Sequence, residues 1–293
     1  MTPSAFDFAR AGSVEEALDL LSGHDDAKLL AGGHSLIPAM KLRLDTPGLL
    51  IDVTGLSDLS AITIDGDTLK IGALVTHRRV ELSDTVQSAC NVLSEAAGGI
   101  GDPQVRNCGT IGGSLAHADP AADYPALVLA LDASIDVRNQ SGARTIAAAD
   151  FFTGLFETAL TAGEIITGVS FPVLQSNEGA AYHKYANPAS KYAVVGVAAW
   201  IRTDDDGKCT SVRIGVTGAS ATAHRASRAE RGLIGRALGA EAIASATDTM
   251  TAEADLLSDH AASAEYRAHL VSVMTRRAVA AAYARATAYA LRR

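Results

Sequence analysis

Two short stretches carry the residue types and spacing that could do chemistry. Residues 29–44 read LLAGGHSLIPAMKLRL and residues 110–123 read TIGGSLAHADPAAD. Each sets two adjacent glycines and a small hydroxyl residue at the end of an apolar run. Lacking a Cβ, glycine reaches the positive φ values that line up successive N–H groups as an anion-binding nest, and it lets a ligand lie against the main chain. A lone Gly-Gly pair suits an ordinary strand-to-helix turn equally well. Two nests in one chain point to two phosphates, or to one diphosphate held from both sides. Behind the second nest stand His117, Asp119 and Asp123. They could ligate a metal or accept hydrogen bonds from sugar or polyol hydroxyls beside the phosphates, and the hydroxyl reading is favoured. Arg106, just upstream, either serves that site or braces its loop through an ion pair.

Composition limits what these residues can serve. The 293-residue chain carries 25 Lys and Arg against 33 Asp and Glu, a net charge of −8. No basic cluster suggests a nucleic-acid partner, so an anion here must be met by main chain more than by lysine. The N-terminus lacks a basic segment followed by an apolar one, and no run of about 18 apolar residues could span a membrane. The expectation is a cytoplasmic protein, free to associate with the inner face of a membrane through partners. Cys90, Cys108 and Cys209 are an odd, widely spaced set. An iron–sulfur cluster needs about four cysteines and zinc needs close Cys/His spacings, so no metal centre of the chain's own is expected.

Around the nests, periodicity and turn residues predict the framework. Phe6 and Phe8 are read as the first buried strand residues, and Ser13 with Glu16 as a capping box opening a helix through Leu21. A strand over 28–31 leads into the GGHS turn, and a helix over 36–42 presents its first N–H groups to the ligand. Strands follow over 48–53, 61–71 (a hairpin with an Asp-Gly turn), 134–138, 144–147 and 164–171, with helices over 76–82, 86–97 and 123–131. Residues 102–123 read as one long irregular loop, a form usually reserved for function. The run 174–179 reads as a linker. Beyond it, 180–185, 192–203 and 209–217 predict an antiparallel meander, followed by helices over 225–238, 241–250 and 265–291. The last has Tyr266, Leu270, Val273 and Met274 on one face and covers the meander or docks another subunit.

With AGGHSLIPAMKLRL, DPQVRNCGTIGGSLAHADPAADYPA, EIITGVSFP and KYANPASKYAVVGVAA in this order, nearly the whole chain resembles the FAD-binding medium subunit of molybdenum hydroxylases. The carbon monoxide dehydrogenase type is nearest, with xanthine dehydrogenase a wider cousin. The resemblance implies an α+β fold: a two-part FAD-binding domain of the vanillyl-alcohol-oxidase-like type over 1–175 (parts 1–55 and 56–175), then an antiparallel sheet with helices over 180–293. It implies FAD as cofactor, its diphosphate held by Leu29, Leu30, Ala31, Gly32, Gly33, His34, Ser35 and Leu36 together with the loop 110–114, Thr110, Gly113 and Ser114 among its residues, and with Ala116 a further cofactor-binding residue. His117, Asp119 and Asp123 would follow the ribityl and diphosphate side. Ile165 and Ile166 would meet the adenine or ribose, Lys184 the flavin edge and Tyr192 the isoalloxazine ring. Ser114 departs from the asparagine of many relatives, and Gly101 leaves little side chain beside the flavin.

By the same resemblance the partners are a large molybdopterin subunit and a small [2Fe–2S] subunit, as a dimer of heterotrimers. Electrons would pass from molybdenum through the clusters to this flavin and on to quinone, oxygen or NAD. No residue need act as acid, base or nucleophile. A nicotinamide-binding alternative fails because G-x-G-x-x-G with a ribose-binding acid about twenty residues on is missing. Two other readings stay open: a nucleotide-binding or assembly subunit without redox-active flavin, and a medium subunit of an enzyme acting on an N-heterocycle or an aldehyde.

Overall fold

The computed structural model describes residues 2–247 and 255–288. The chain opens with β1 (Asp7–Arg10), α1 (Val14–Ser22), β2 (Ala27–Leu30), α2 (Leu36–Lys41) and β3 (Leu49–Asp52). Both β1 and β2 pair in parallel with β3, giving a three-stranded sheet of order β1-β3-β2. The Ser13 side chain accepts from the N–H of Glu16, while Glu16 Oε2 accepts from Gly12 N–H at 2.7 Å. The capping box is thus closed one residue early. Val14, Ala17 and Leu18 of α1 bury against Leu49, Ile51 and Val53. Phe6 and Phe8 do not share that core, being 39% and 59% exposed. Side chains alternate along a strand, and on the edge strand β1 it is Ala9 that turns toward α1.

The second part runs β4 (Ile62–Asp65), β5 (Thr68–Gly72), α3 (His77–Leu82), α4 (Asp84–Gly98), α5 (Pro103–Cys108), α6 (Ile111–His117) and α7 (Tyr124–Ala130). It continues through β6 (Ser134–Asn139), β7 (Gly142–Ala147), β8 (Phe152–Gly154), β9 (Glu157–Thr158) and β10 (Ile165–Pro172). Strands β4-β5-β10-β6-β7 form an antiparallel sheet, and its core joins Leu69, Ile71, Val137 and Phe171 to Leu93 of α4 and Leu127 of α7. The irregular loop expected over 102–123 is instead two short helices. Asp102 Oδ1 accepts from the N–H groups of Gln104 and Val105, with Pro103 at the first turn, and Thr110 caps Gly113. Six- and seven-residue helices are too short to display a periodicity, which is why pattern alone misses them.

The last part comprises β11 (Glu178–Ala186), β12 (Ala193–Thr203), β13 (Cys209–Thr217), β14 (His224–Arg225), α8 (Ser227–Leu233), α9 (Ala240–Thr247) and α10 (Ala264–Thr287). The four strands pair antiparallel in chain order. Val195, Val197 and Ile201 of β12 share a core with Ala278, Val279 and Ala282 of α10, whereas Ala198 and Trp200 join the core of the second part. A strand buried on both faces reads as an unbroken apolar run. The terminal helix therefore covers the meander. Tyr266 departs from its expected inward face, standing 42% exposed with its ring against Tyr185 and His269. Residues 248–250 and 289–291, the expected ends of two helices, lie outside the described residues. The supposed linker is anchored at both ends: Leu174 N–H donates to Ala89 O, and buried Glu178 accepts from Arg202.

Candidate functional site

The two glycine loops touch. A Cβ on Gly32 would lie 2.2 Å from Cys108 O and 2.8 Å from Gly109 Cα, so only glycine lets the β2–α2 loop pack on the α5–α6 junction. Gly33 has φ +70°, in the left-handed region. Ser35 precedes α2 without a side-chain cap. The N–H groups of Gly32, Gly33, His34, Ser35 and Leu36 have no hydrogen-bond acceptor among the described residues. A row of free donors of this kind is what an anion-binding nest requires.

The second loop is built differently from the expectation of a matching nest. The N–H of Ile111 donates to Val75 O, Gly112 to Ala73 O, Gly113 to Thr110 Oγ1 and Ser114 to Thr110 O. Its first-turn donors are committed to the protein. Its contribution is a close, side-chain-poor wall, not a second row of free amides.

Between the loops lies a cleft of about 400 Å³, within the range of small-molecule sites. Of the residues singled out beforehand, Leu29, Ala31, Gly32, Gly33, His34, Ser35, Leu36, Thr110, Gly113, Ser114, Ala116, His117, Asp119, Asp123, Ile165, Ile166 and Tyr192 line it, as does Gly101. Leu30 and Lys184 do not. The Leu30 side chain sits under the loop, where Cδ1 would be 3.2 Å from a Cβ on Gly33. The Lys184 ammonium lies behind the wall and donates to Gly99 O at 2.9 Å and Lys191 O at 2.7 Å, and it pairs with Asp123 Oδ1 at 2.9 Å. Its reach is spent on holding the wall together.

Asp123 Oδ1 also accepts from Tyr182 Oη at 2.6 Å. Burial pushes the Asp123 carboxyl up, against the pull of Lys184 and Tyr182. Asp119 Oδ1 accepts from Ala121 N–H, leaving its other oxygen free to take a hydroxyl proton. Among the described residues no group of three or more His, Cys, Asp or Glu is arranged to hold a metal ion. The His117 ring lies 5.2 Å from Phe156, beside the outer part of the cleft. Tyr192 follows Lys191, at φ +65°; burial raises its phenol, against the pull of the Ser35 side chain. Arg106 is the loop brace: Nε reaches Glu81 at 3.0 Å and Nη1 reaches Ile100 O at 3.1 Å.

Sequence reasoning overlooked two cleft residues of consequence. Glu164 precedes β10 and is clamped by Arg144 at 2.7 and 2.8 Å and by Thr161 N–H at 2.7 Å. Arg144 above all holds its carboxyl down at about 2. A carboxylate opening an apolar strand was the available signal. His77 opens α3 and is 5% exposed; burial first, then His34 and Arg106, lowers its imidazole to about 4. No local pattern marks it, because its surroundings come from Gly109 and Tyr124.

Residues 4–174 match the family model described as the FAD binding domain in molybdopterin dehydrogenase, and residues 180–282 that of the CO dehydrogenase flavoprotein C-terminal domain. The chain is 40% identical over 287 residues to the 6-hydroxypseudooxynicotine dehydrogenase complex subunit alpha of Paenarthrobacter nicotinovorans, covering 98% of this chain and 97% of that one. It is 39% identical to the carbon monoxide dehydrogenase medium chain of Afipia carboxidovorans, covering 98% and 99%. A structure of carbon monoxide dehydrogenase from Hydrogenophaga pseudoflava, lacking the Mo-pyranopterin moiety, superposes with TM-score 0.94 at 39% identity over 97% and 99% of the two chains. Quinoline 2-oxidoreductase from Pseudomonas putida 86 gives TM-score 0.92 at 32% identity over 97% and 98%.

Proposed function

We propose, from the premise that this chain belongs to the family of FAD-binding medium subunits of molybdenum hydroxylases, that it works as the electron-transfer subunit of a three-subunit oxidoreductase. Its partners are a large molybdopterin subunit and a small [2Fe–2S] subunit, arranged as a dimer of heterotrimers, with quinone, oxygen or NAD as terminal acceptor. FAD, when bound, supplies the exchange between one-electron and two-electron transfer. The chain's residues hold and orient it.

The row of five partnerless N–H groups from Gly32 to Leu36 carries this reading. Such donors suit the two charges of a diphosphate, and in an acidic protein they spare it the need for lysine. Ile165 and Ile166 give the adenosine end an apolar wall, His117 and Asp119 offer partners for hydroxyls, and Tyr192 covers the ring end. The cleft is closed by both halves of the chain, 1–175 and 180–293, which we take as its two domains. No helix among the described residues is long and apolar enough to cross a membrane; we place the protein in the cytoplasm, with any membrane association made through its partners.

The substrate belongs to the large subunit. We favour carbon monoxide dehydrogenase chemistry on the 0.94 superposition. The 40% identity to a relative named for 6-hydroxypseudooxynicotine supports an N-heterocycle-derived substrate as the second reading. Purified chain reconstituted with FAD and desalted should keep a visible flavin spectrum that dithionite bleaches. A colourless product would overturn the redox role and leave a nucleotide-binding or assembly subunit. Affinity capture from the native cell, with identification of the co-purified large subunit, tests the partners and separates the two substrate readings.

A further inference from the structure

We infer that His77 is a cofactor-positioning residue, an uncharged imidazole set in the cleft floor so that Nε2–H donates to an oxygen of the bound dinucleotide where the two loops meet. The inference rests on the FAD reading above.

The main chain fixes where this ring sits. His77 N–H donates to Gly109 O at 2.9 Å, and Thr76 bridges Thr110, so the start of α3 is fastened to the second loop. A Cβ on Gly109 would come within 2.6 Å of Nε2, and Gly109 in turn is packed against Gly32. The imidazole therefore lies directly beneath the junction of the loops, and it lines the cleft.

Its hydrogen bonding is unfinished. Among the described residues no partner reaches either ring nitrogen, and Nδ1 is sealed from solvent. The neighbouring ring, Tyr124, has its centroid 5.4 Å away, is wholly buried, and also has a hydroxyl without a partner. Buried polar groups are nearly always satisfied, and leaving one unpaired is costly. Nδ1 and the Tyr124 hydroxyl are closed off from the cleft, so the ring nitrogen that a molecule in the cleft can reach is Nε2, which likewise has no protein partner.

The charge state fits that task. Burial, His34 and Arg106 all disfavour the imidazolium, so at neutral pH the ring keeps one donor and one acceptor. The middle of a dinucleotide is rich in oxygens that only accept, which selects the Nε2–H tautomer. The second loop has spent its own first-turn amides on Val75, Ala73 and Thr110. His77 supplies from this side the donor that those amides do not.

The test uses the full chain, freed of flavin and titrated with FAD by fluorescence, comparing wild type with His77→Gln and His77→Phe. Gln keeps an N–H donor; Phe fills the space without one. His77→Phe should weaken FAD at least about tenfold, the loss of a buried hydrogen bond with its partner left unpaired, and His77→Gln should stay within about threefold of wild type. In histidine-15N-labelled protein, the signals absent from His77→Phe should report a single neutral tautomer whose Nε2 resonance moves on adding FAD. If wild type binds FAD, and His77→Phe binds equally while those nitrogen signals stay put, His77 has no such role. If His77→Phe does not fold, the wild-type resonances decide, movement supporting the inference and stillness overturning it. Should wild type fail to bind FAD, the cofactor reading itself falls.

Discussion

At the scale of single residues, Glu164 sets the clearest acid dependence. Its folded value, about 2, lies below the ordinary 4.5. The unfolded chain thus takes up a proton first, and the stabilisation is complete above about pH 4.5 and drains away as pH falls toward 2. Glu164→Gln should cost about 1–3 kcal/mol at neutral pH and flatten that part of the acid limb, as read by denaturant titration at several pH values. An unchanged limb would show that Arg144 contributes nothing there. His77 acts in the same direction over a different window, because its neutral form is the folded one. That contribution is present above about pH 6.5 and lost as pH falls through 4. The glycines and hydroxyls of the site were legible in the sequence, since their chemistry is local to a loop. Neither Glu164 nor His77 was, because Arg144 lies 20 residues from Glu164, and Gly109 meets His77 only once α3 and α5 are folded.

At the scale of elements, the first loop behaves as a backbone device. A Cβ at Gly33 would point at Leu30 and Ile37, 3.2 Å from each. The obstacle is conformational: φ +70° is costly for any L-residue, by about 1–2 kcal/mol, and worse for a β-branched one. Gly33→Val should relax the loop out of that conformation, scatter the five donors and abolish FAD retention after desalting, with the apo far-ultraviolet spectrum unchanged. Stoichiometric flavin in that variant would count against the nest. Elements whose pattern exceeds one period were readable, such as the α1 box at Ser13 and the continuous apolar run of β12. The helices α5 and α6 were not, because one or two turns capped by Asp102 and Thr110 look, residue by residue, like loop.

At the scale of the whole molecule, the cleft depends on the docking of the C-terminal sheet. Trp200 and Ala198 of β12 complete the core under α4 and α7, and Arg285 of α10 reaches Glu95 of α4 at 2.9 Å. Lys184→Met removes the cation from a carboxylate whose side chain is 4% exposed. It should destabilise the chain by about 3–5 kcal/mol in denaturant unfolding. Asp123→Asn with Lys184→Met should cost less than the sum of the two single changes, since each alone strands its partner. Additive losses would mean that the pair is not coupled. The same ammonium grips the end of α4 at Gly99, the hairpin tip at Lys191 and the approach to α7 at Asp123. Three strangers in sequence thus become one lever: a push on the hairpin from outside must either carry the other two along or leave a bare charge behind, so whatever leans on that tip also has a hand on the walls of the cleft.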